Sequence, residues 1–336
     1  MSKPQVTHYD DITRVRLHMA FPLRWVNSYM LRGEDGWTMV DPGPRSAENE
    51  AVWKEALAEL GIEMSDIASI VLTHHHPDHY GLSGWIQQQS GAQVWMSRAA
   101  SEAAWRGWGT LQDESAPSAW TAEMIALYRQ HGMAPERLDQ LPEHLGSFLP
   151  QVTPQPEISV IAPELPIRFG GRWWQPIETG GHAEGHLSFY EEQTGLILCG
   201  DAVLPRISPN ISYGPGGDQH PLRSYLEGLR TLGALNVSKA FPGHRDPFES
   251  FTARTTQLLE HHEDRLNRME ALLREQAHGA TAYAICVSLF GDSLGIHQLR
   301  FALSETIAHL IELEDRGRIT RTHAEDRFVF HVVEAD

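Results

Sequence analysis

Five side chains able to ligate a divalent metal stand close together in His74-His75-His76-Pro77-Asp78-His79. In an extended segment residues i and i+2 share a side, so His74 and His76 converge on one ion while His75 points away. Asp78 and His79 can then turn toward a second ion, because imidazole and carboxylate both suit divalent transition metals. The chain holds 19 histidines and 16 aspartates, and random placement at that density gives this pattern about three times in a thousand such chains.

The His-x-His-x-Asp-His pattern resembles that of the metallo-β-lactamase superfamily, in particular its glyoxalase II-like branch, over most of Val15 to Pro247. Three further landmarks of that family are matched: Gly181-His182-Ala183-Glu184-Gly185-His186, Cys199-Gly200-Asp201 and Pro242-Gly243-His244. With the second histidine of the first landmark as ligand, the resemblance implies His74, His76, His186 and Asp201 on one ion. It implies Asp78, His79, His244 and the bridging Asp201 on the other. Two divalent ions are expected, zinc first, with manganese or iron as alternatives. His182 is expected to orient a ligand rather than to be one. Asp41 matches another landmark, and read by itself it is also a turn-forming aspartate before Pro42.

Such a pair of ions lowers the pKa of a shared water toward neutrality and supplies hydroxide as nucleophile. Asp78 or Asp201 would pass a proton to the leaving group, so no serine or cysteine nucleophile is needed. Antibiotic-cleaving members carry Cys or Ser where Asp201 stands, and flavodiiron members carry Glu where His76 stands, so neither chemistry is expected. Hydrolysis of a thioester, carboxylic ester or lactone of a small acyl substrate is the leading expectation, with Arg206 as a candidate partner for a substrate anion. Some acyl-homoserine lactonases carry tyrosine at the position of Leu204, so that substrate has no support here.

A phosphodiesterase or endoribonuclease is the alternative, since one branch with a C-terminal winged helix includes such an enzyme. Against it, residues 281–336 carry five Arg and nine Asp or Glu, where a nucleic-acid module presents a basic face. A mononuclear iron dioxygenase is the third expectation, distinguished by about one iron per chain.

These ligands need a scaffold, and 336 residues suffice for one large and one smaller domain. Net charge is 27 − 44 = −17, which disfavours polyanions and anionic membranes as partners. No apolar run approaches the roughly 20 residues of a spanning helix, no leader pattern opens the chain, and the only cysteines are Cys199 and Cys286. A cytoplasmic protein is expected.

Strands are expected over Ile12–Met19, Asn27–Arg32 and Gly36–Gly43, and then a helix over Ser46–Leu60 capped by Ser46. Ile67–Leu72 is a short apolar run suited to a strand buried on both faces, and a helix over Tyr80–Gln89 follows the histidines. Strand Gln93–Met96 precedes a helical insertion, about residues 99–157, with breaks at Pro117, Gly132, Pro142 and Pro150. Its Trp105, Trp108, Trp120, Met124, Ile125, Leu127, Tyr128 and Met133 suit a lid over an acyl or aryl group, or equally internal packing or a homodimer contact.

Strands return from Ile158 to Leu204, and a helix over Leu222–Leu232 and strand Lys239–Phe241 lead to Pro242. A connector helix over Ser250–Gln276 is followed by two helices and two short strands, with Leu299, Leu303, Ile307, Leu310 and Ile311 facing a small core. The expected class is thus α/β: an αββα metallo-β-lactamase sandwich over residues 1–249 and a small winged-helix-like domain within 250–336.

Overall fold

The computed structural model describes residues 5–19, 23–109 and 118–334. Seven strands lie in chain order in one sheet: β1 (Gln5–Tyr9), β2 (Ile12–His18), β3 (Trp25–Arg32), β4 (Trp37–Val40), β5 (Ile67–Val71), β6 (Gln93–Ser97) and β7 (Ile158–Ile161). The second sheet has the order β12-β11-β10-β9-β8, from β8 (Ile167–Phe169), β9 (Arg172–Glu178), β10 (Leu187–Glu191), β11 (Leu196–Gly200) and β12 (Lys239–Pro242). The sheets face each other across a dry layer in which Tyr29, Leu31 and Val71 meet Trp174, Phe189 and Phe241. Helices cover the outer faces, which gives the αββα sandwich.

Over the first sheet lie α1 (Ala47–Leu60), α2 (Pro77–Tyr80) and α3 (Ser83–Ser90), and the insertion adds α4 (Arg98–Ala104), α5 (Ala119–Gln130), α6 (Pro135–Leu138) and α7 (Leu141–Gly146). Ser46 caps α1 by accepting from Asn49 N at 3.1 Å, worth about 1 kcal/mol. Gly61 ends the helix in the left-handed region, at φ 67°. The helix expected over Tyr80–Gln89 is two, because Pro77 starts a first turn at once and the chain bends at Gly81-Leu82. Residues 5–9, read from sequence as polar lead, form β1, an edge strand paired antiparallel with β2; its mixed composition carries no apolar alternation. The break expected at Pro117 lies outside the described residues.

The second sheet is covered by α8 (Pro221–Gly233) and α9 (Phe251–Arg274), followed by α10 (Ala282–Phe290), α11 (Ile296–Asp315) and the hairpin β13 (Ile319–Ala324) and β14 (Arg327–Val332). The stripe of α11 was expected to face a small core of its own. Instead thirteen of its twenty residues are buried, because α7, α8, α9 and α10 all pack around it. One continuous apolar core joins Tyr128 and Met133 of the insertion, Leu226 and Leu229 of α8 and Leu303 and Ile307 of α11. No helix among the described residues is long and apolar enough to cross a membrane.

That core also buries histidines held neutral. Burial, with a contribution from Arg321, pushes His131 down to about 3, and burial likewise takes His309 down to about 3. Both lie below the unfolded value of about 6.5, so as pH falls beneath that value the unfolded chain binds protons the folded chain refuses. Stability is fully present above about pH 6.5 and falls by about 1.4 kcal/mol per histidine per pH unit down to the folded values. The melting temperature at about pH 5.5 is expected below that at about pH 7, and His131→Leu is expected to flatten the dependence. An equal slope in that variant would show that His131 is not the group responsible.

Candidate metal centre

The site lies along one edge of the sandwich, where strands end. Asp41 directly follows β4, Thr73 and His74 follow β5, Asp201 follows β11, and His244 follows β12 by one glycine. The chain between β9 and β10 supplies His182 and His186. Loops at strand ends can turn their side chains inward without breaking a ladder, while the sheets fix where the loops begin.

Four of the approaching imidazoles are oriented by a bond at Nδ1. His79 Nδ1 donates to Asp41 Oδ2 at 2.9 Å, His182 Nδ1 to the Asn210 carbonyl at 2.8 Å, and His244 Nδ1 to the Trp25 carbonyl at 2.9 Å. Thr73 Oγ1 gives its proton to Asp41 Oδ2 at 2.7 Å, so it accepts from His74 Nδ1 at 2.9 Å. Every one of these rings therefore presents the Nε2 lone pair inward. His74, His79 and His182 Nε2 and Asp201 Oδ1 are buried with no hydrogen-bond partner, the mark of a missing cation.

Two donor groups emerge side by side. The ligand atoms of His74, His76 and His182 lie within 4.8 Å of one another, and so do those of Asp78, His79 and His244. Asp201 lies between them, with Oδ2 at 3.2 Å from His244 Nε2 and 3.7 Å from His182 Nε2, and Oδ1 at 3.5 Å from His79 Nε2. The His74 and His76 ring centroids are 4.7 Å apart.

His186 and His182 are held differently. Its Nδ1 meets Thr179 Oγ1 at 2.9 Å and its Nε2 accepts from the Asp201 backbone N–H at 3.2 Å. These contacts orient the His186 ring beside Asp201, while the ligand atom of His182 falls within the group formed with His74 and His76. The resemblance implies His186 as the ligand and His182 as the group that orients one, and the Gly-His-x-x-Gly-His spacing by itself leaves the choice open. Arg206 is exposed and is not among the residues that wall the cavity. His75 keeps its ring out of both donor groups, and its carbonyl accepts from Trp108 Nε1 at 3.3 Å.

Asp41 holds its place under strain. It sits at φ 52°, which costs a non-glycine residue on the order of 1–3 kcal/mol, offset by the bonds from His79, Thr73 Oγ1 and Thr73 N, the last at 2.8 Å. Asn27 clamps the opposite loop, donating to the Pro242 carbonyl at 2.9 Å and the Arg245 carbonyl at 2.7 Å. A Cβ on Gly243 would fall 2.2 Å from Asp201 Oδ1 and 2.5 Å from His79 Cε1, so glycine there lets the loop pass beneath the ligands. Thr73, Asn27 and Asn210 carry no sequence signal, because their work depends on partners distant in the chain.

Electrostatics suit the donor set to metal. Burial, with His79 and His76 adding to it, lowers His74 well below the ordinary imidazole value, and burial lowers His182. For Asp201 burial opposes ionisation, but His244 and His79 outweigh it and hold the carboxyl well below the usual range. For His244 burial is likewise outweighed, by Asp201 and Asp78, which raise it to about 10; His79 is raised by the same pair and Asp41. Two carboxylates set among these imidazoles make a donor set whose charge divalent cations would balance. The residues fit a pair of divalent ions.

The clusters open into a cavity of about 860 Å³ walled by the site loops, the insertion and α11. Trp108, Trp120 and Met124 of the insertion line it, together with Phe148 and Phe301. Tyr128 and Met133 are instead core, and Trp105 is exposed, so the insertion's aromatic load divides between wall and joint. Arg106 ties the insertion to the His182 loop through Glu184 at 2.5 Å.

An αββα sandwich carrying paired His/Asp clusters at this edge defines a metal-dependent hydrolase with a binuclear site. Residues 23–244 match the profile of the Metallo-beta-lactamase superfamily and residues 266–332 that of the Metallo-beta-lactamase-like, C-terminal domain. The chain belongs to the metallo-β-lactamase superfamily. It is 27% identical to "Probable metallo-hydrolase YqjP" of Bacillus subtilis, over 93% of this chain and 94% of that protein. It is 22% identical to "Beta-lactamase-like protein 2 homolog" of Caenorhabditis elegans, over 86% and 82%. Among solved structures, a metallo-beta-lactamase family protein from Thermus thermophilus superposes with TM-score 0.81 at 29% identity, covering 96% of this chain and 99% of that one. A beta-lactamase domain protein from Burkholderia ambifaria gives 0.85 at 26%, covering 98% and 94%.

Proposed function

We propose that this chain hydrolyses a small carboxylic ester, thioester or lactone, in the manner of the glyoxalase II-like branch. The observation that carries the reading is the pairing of a carboxylate-bridged donor set with an aromatic-walled cavity that reaches it. His74, His76, His182 and Asp201 would hold one divalent ion, and Asp78, His79, His244 and Asp201 the other, zinc being the first expectation. When bound, such a pair supplies Lewis acidity and an activated water at neutral pH.

The chain's own residues do the rest. Asp201, held ionised with its oxygens facing both clusters, would be the ligand common to the two. Asp78 borders the cavity, and its carboxylate would take a proton from the attacking water and pass it to the leaving oxygen or sulfur. Trp108, Trp120 and Phe148 would exclude water and orient an acyl or aryl group. Residues 1–249 are read as the catalytic unit with its insertion at about 99–157, and 250–336 as connector helix and winged-helix-like unit that here walls the cavity. Its excess of acidic residues disfavours RNA.

The test is elemental analysis followed by aryl esters, thioesters, lactones and single-stranded RNA offered to one metal-loaded sample. Two metal equivalents with ester or thioester turnover is the expected result. RNA cleavage alone would overturn the reading, as would about one iron per chain with oxygen uptake.

A further inference from the structure

Three arginines line the cavity, Arg45, Arg106 and Arg300. Arg45 pairs with Glu50 at 3.0 Å and Arg106 with Glu184 at 2.5 Å. Arg300, on the second turn of α11, has no carboxylate partner among the described residues, and its Nε is buried without a hydrogen bond. Its guanidinium carbon stands 4.2 Å from the ring centroid of Phe301 and 5.7 Å from that of Phe148. These rings hold the planar group by its faces.

A guanidinium keeps its charge at every accessible pH. Half-buried, with its Nε out of water and no counter-anion beside it, the group is incompletely solvated, and an arriving anion recovers part of that cost. Its field is felt nearby: burial, and after it the charge of Arg300, brings His144 and His297 each down to about 4. Carboxylates dominate the polar wall elsewhere, Glu48, Asp78, Asp201 and Asp218 among them. Away from the metal clusters an anion therefore has one favourable place to go, and a planar fork suits an oxyanion.

We propose that Arg300 docks an oxyanion carried by the substrate at the end remote from the scissile bond. The substrate class is then an apolar ester or thioester bearing a carboxylate or a phosphate. This rests on the ester reading above for the bond cleaved, but the anchoring itself can be measured without turnover.

The experiment titrates the metal-loaded protein calorimetrically with phenylacetate, phenyl phosphate and the neutral phenylacetamide, for wild type, Arg300→Met and Arg300→Lys, each of verified metal content. At least one oxyanion is expected to bind wild type about tenfold or more tighter than the amide, the stronger of the two naming the substrate's anion. Arg300→Met is expected to lose that preference, and Arg300→Lys to keep part of it by charge without the fork. If Arg300→Met does not hold its metals, a several-fold loss in Arg300→Lys carries the same conclusion.

A preference that survives both substitutions places the anion on the ions and overturns the proposal, as does equal binding of anion and amide by wild type. Absence of ester turnover with an Arg300-dependent preference removes the ester reading and leaves the anchor. Turnover indifferent to substrate charge does the reverse.

Discussion

Asp201→Ala is expected to lose one of two metal equivalents and, with it, at least about 10³-fold in ester or thioester turnover, equivalent to about 4 kcal/mol of barrier. Its carboxylate is the group shared by both clusters, with oxygens facing His79, His182 and His244. Removing it leaves those imidazoles facing one another without a common anion, so the effect exceeds the loss of an ordinary ligand. Elemental analysis and a turnover assay on the same preparation check it. Full activity with two retained equivalents would remove Asp201 from the centre. Asp201→Asn, which keeps the shape and loses the charge, is expected to fall between the two.

His182→Ala and His186→Ala are expected to part company. Losing His182 removes an Nε2 that faces the first cluster, and metal affinity at that cluster falls by at least about 10–100-fold, the range that even outer supports of a metal site command. Losing His186 strips partners from Thr179 and from the Asp201 N–H, at a cost of about 1–3 kcal/mol in fold stability, while two metal equivalents remain. Metal titration beside thermal unfolding separates them. If His186→Ala releases an ion and His182→Ala does not, the assignment made from the ring nitrogens is wrong.

That pair also marks where reading the sequence stops. His74, His76, Asp78 and His79 declare themselves because four ligands in one short segment cannot be placed by chance often, and the resemblance then points to Asp201 and His244. Which of two histidines four residues apart presents a free lone pair is decided by partners elsewhere: Asn210 for His182, Thr179 and the Asp201 amide for His186. No local pattern encodes those meetings. The place of Arg206 is decided in a similar way. Closeness to Asp201 in sequence does not fix the side on which a loop presents its side chain, and the arginine that reaches the cavity without a partner is Arg300, 99 residues after Asp201.

The strands and long helices were legible from local signals, such as the apolar stripe of α8, the Ser46 cap of α1 and the continuous apolar run of β5. β1 was not, since QVTHY pairs at an edge with little apolar side chain to bury. α11 showed its stripe but not its surroundings: burial on nearly every side follows from how many elements converge on it, a property of the whole fold rather than of its own residues.

The position of α11 has a consequence for how the protein is made. Asn210, whose carbonyl orients His182, is itself held by Glu305 at 2.9 Å, and Tyr213 N donates to the Ser304 carbonyl at 3.3 Å. Every proposed metal ligand precedes residue 296, yet His182 gains its final support, and the cavity its wall, only once α11 has been synthesised. At about 5–20 residues per second, a nascent chain spends several seconds with its donor cluster assembled on one side and open on the other. Competence therefore arrives late and all at once, so a ribosome-bound fragment ending before α11 holds the ligands without the enzyme.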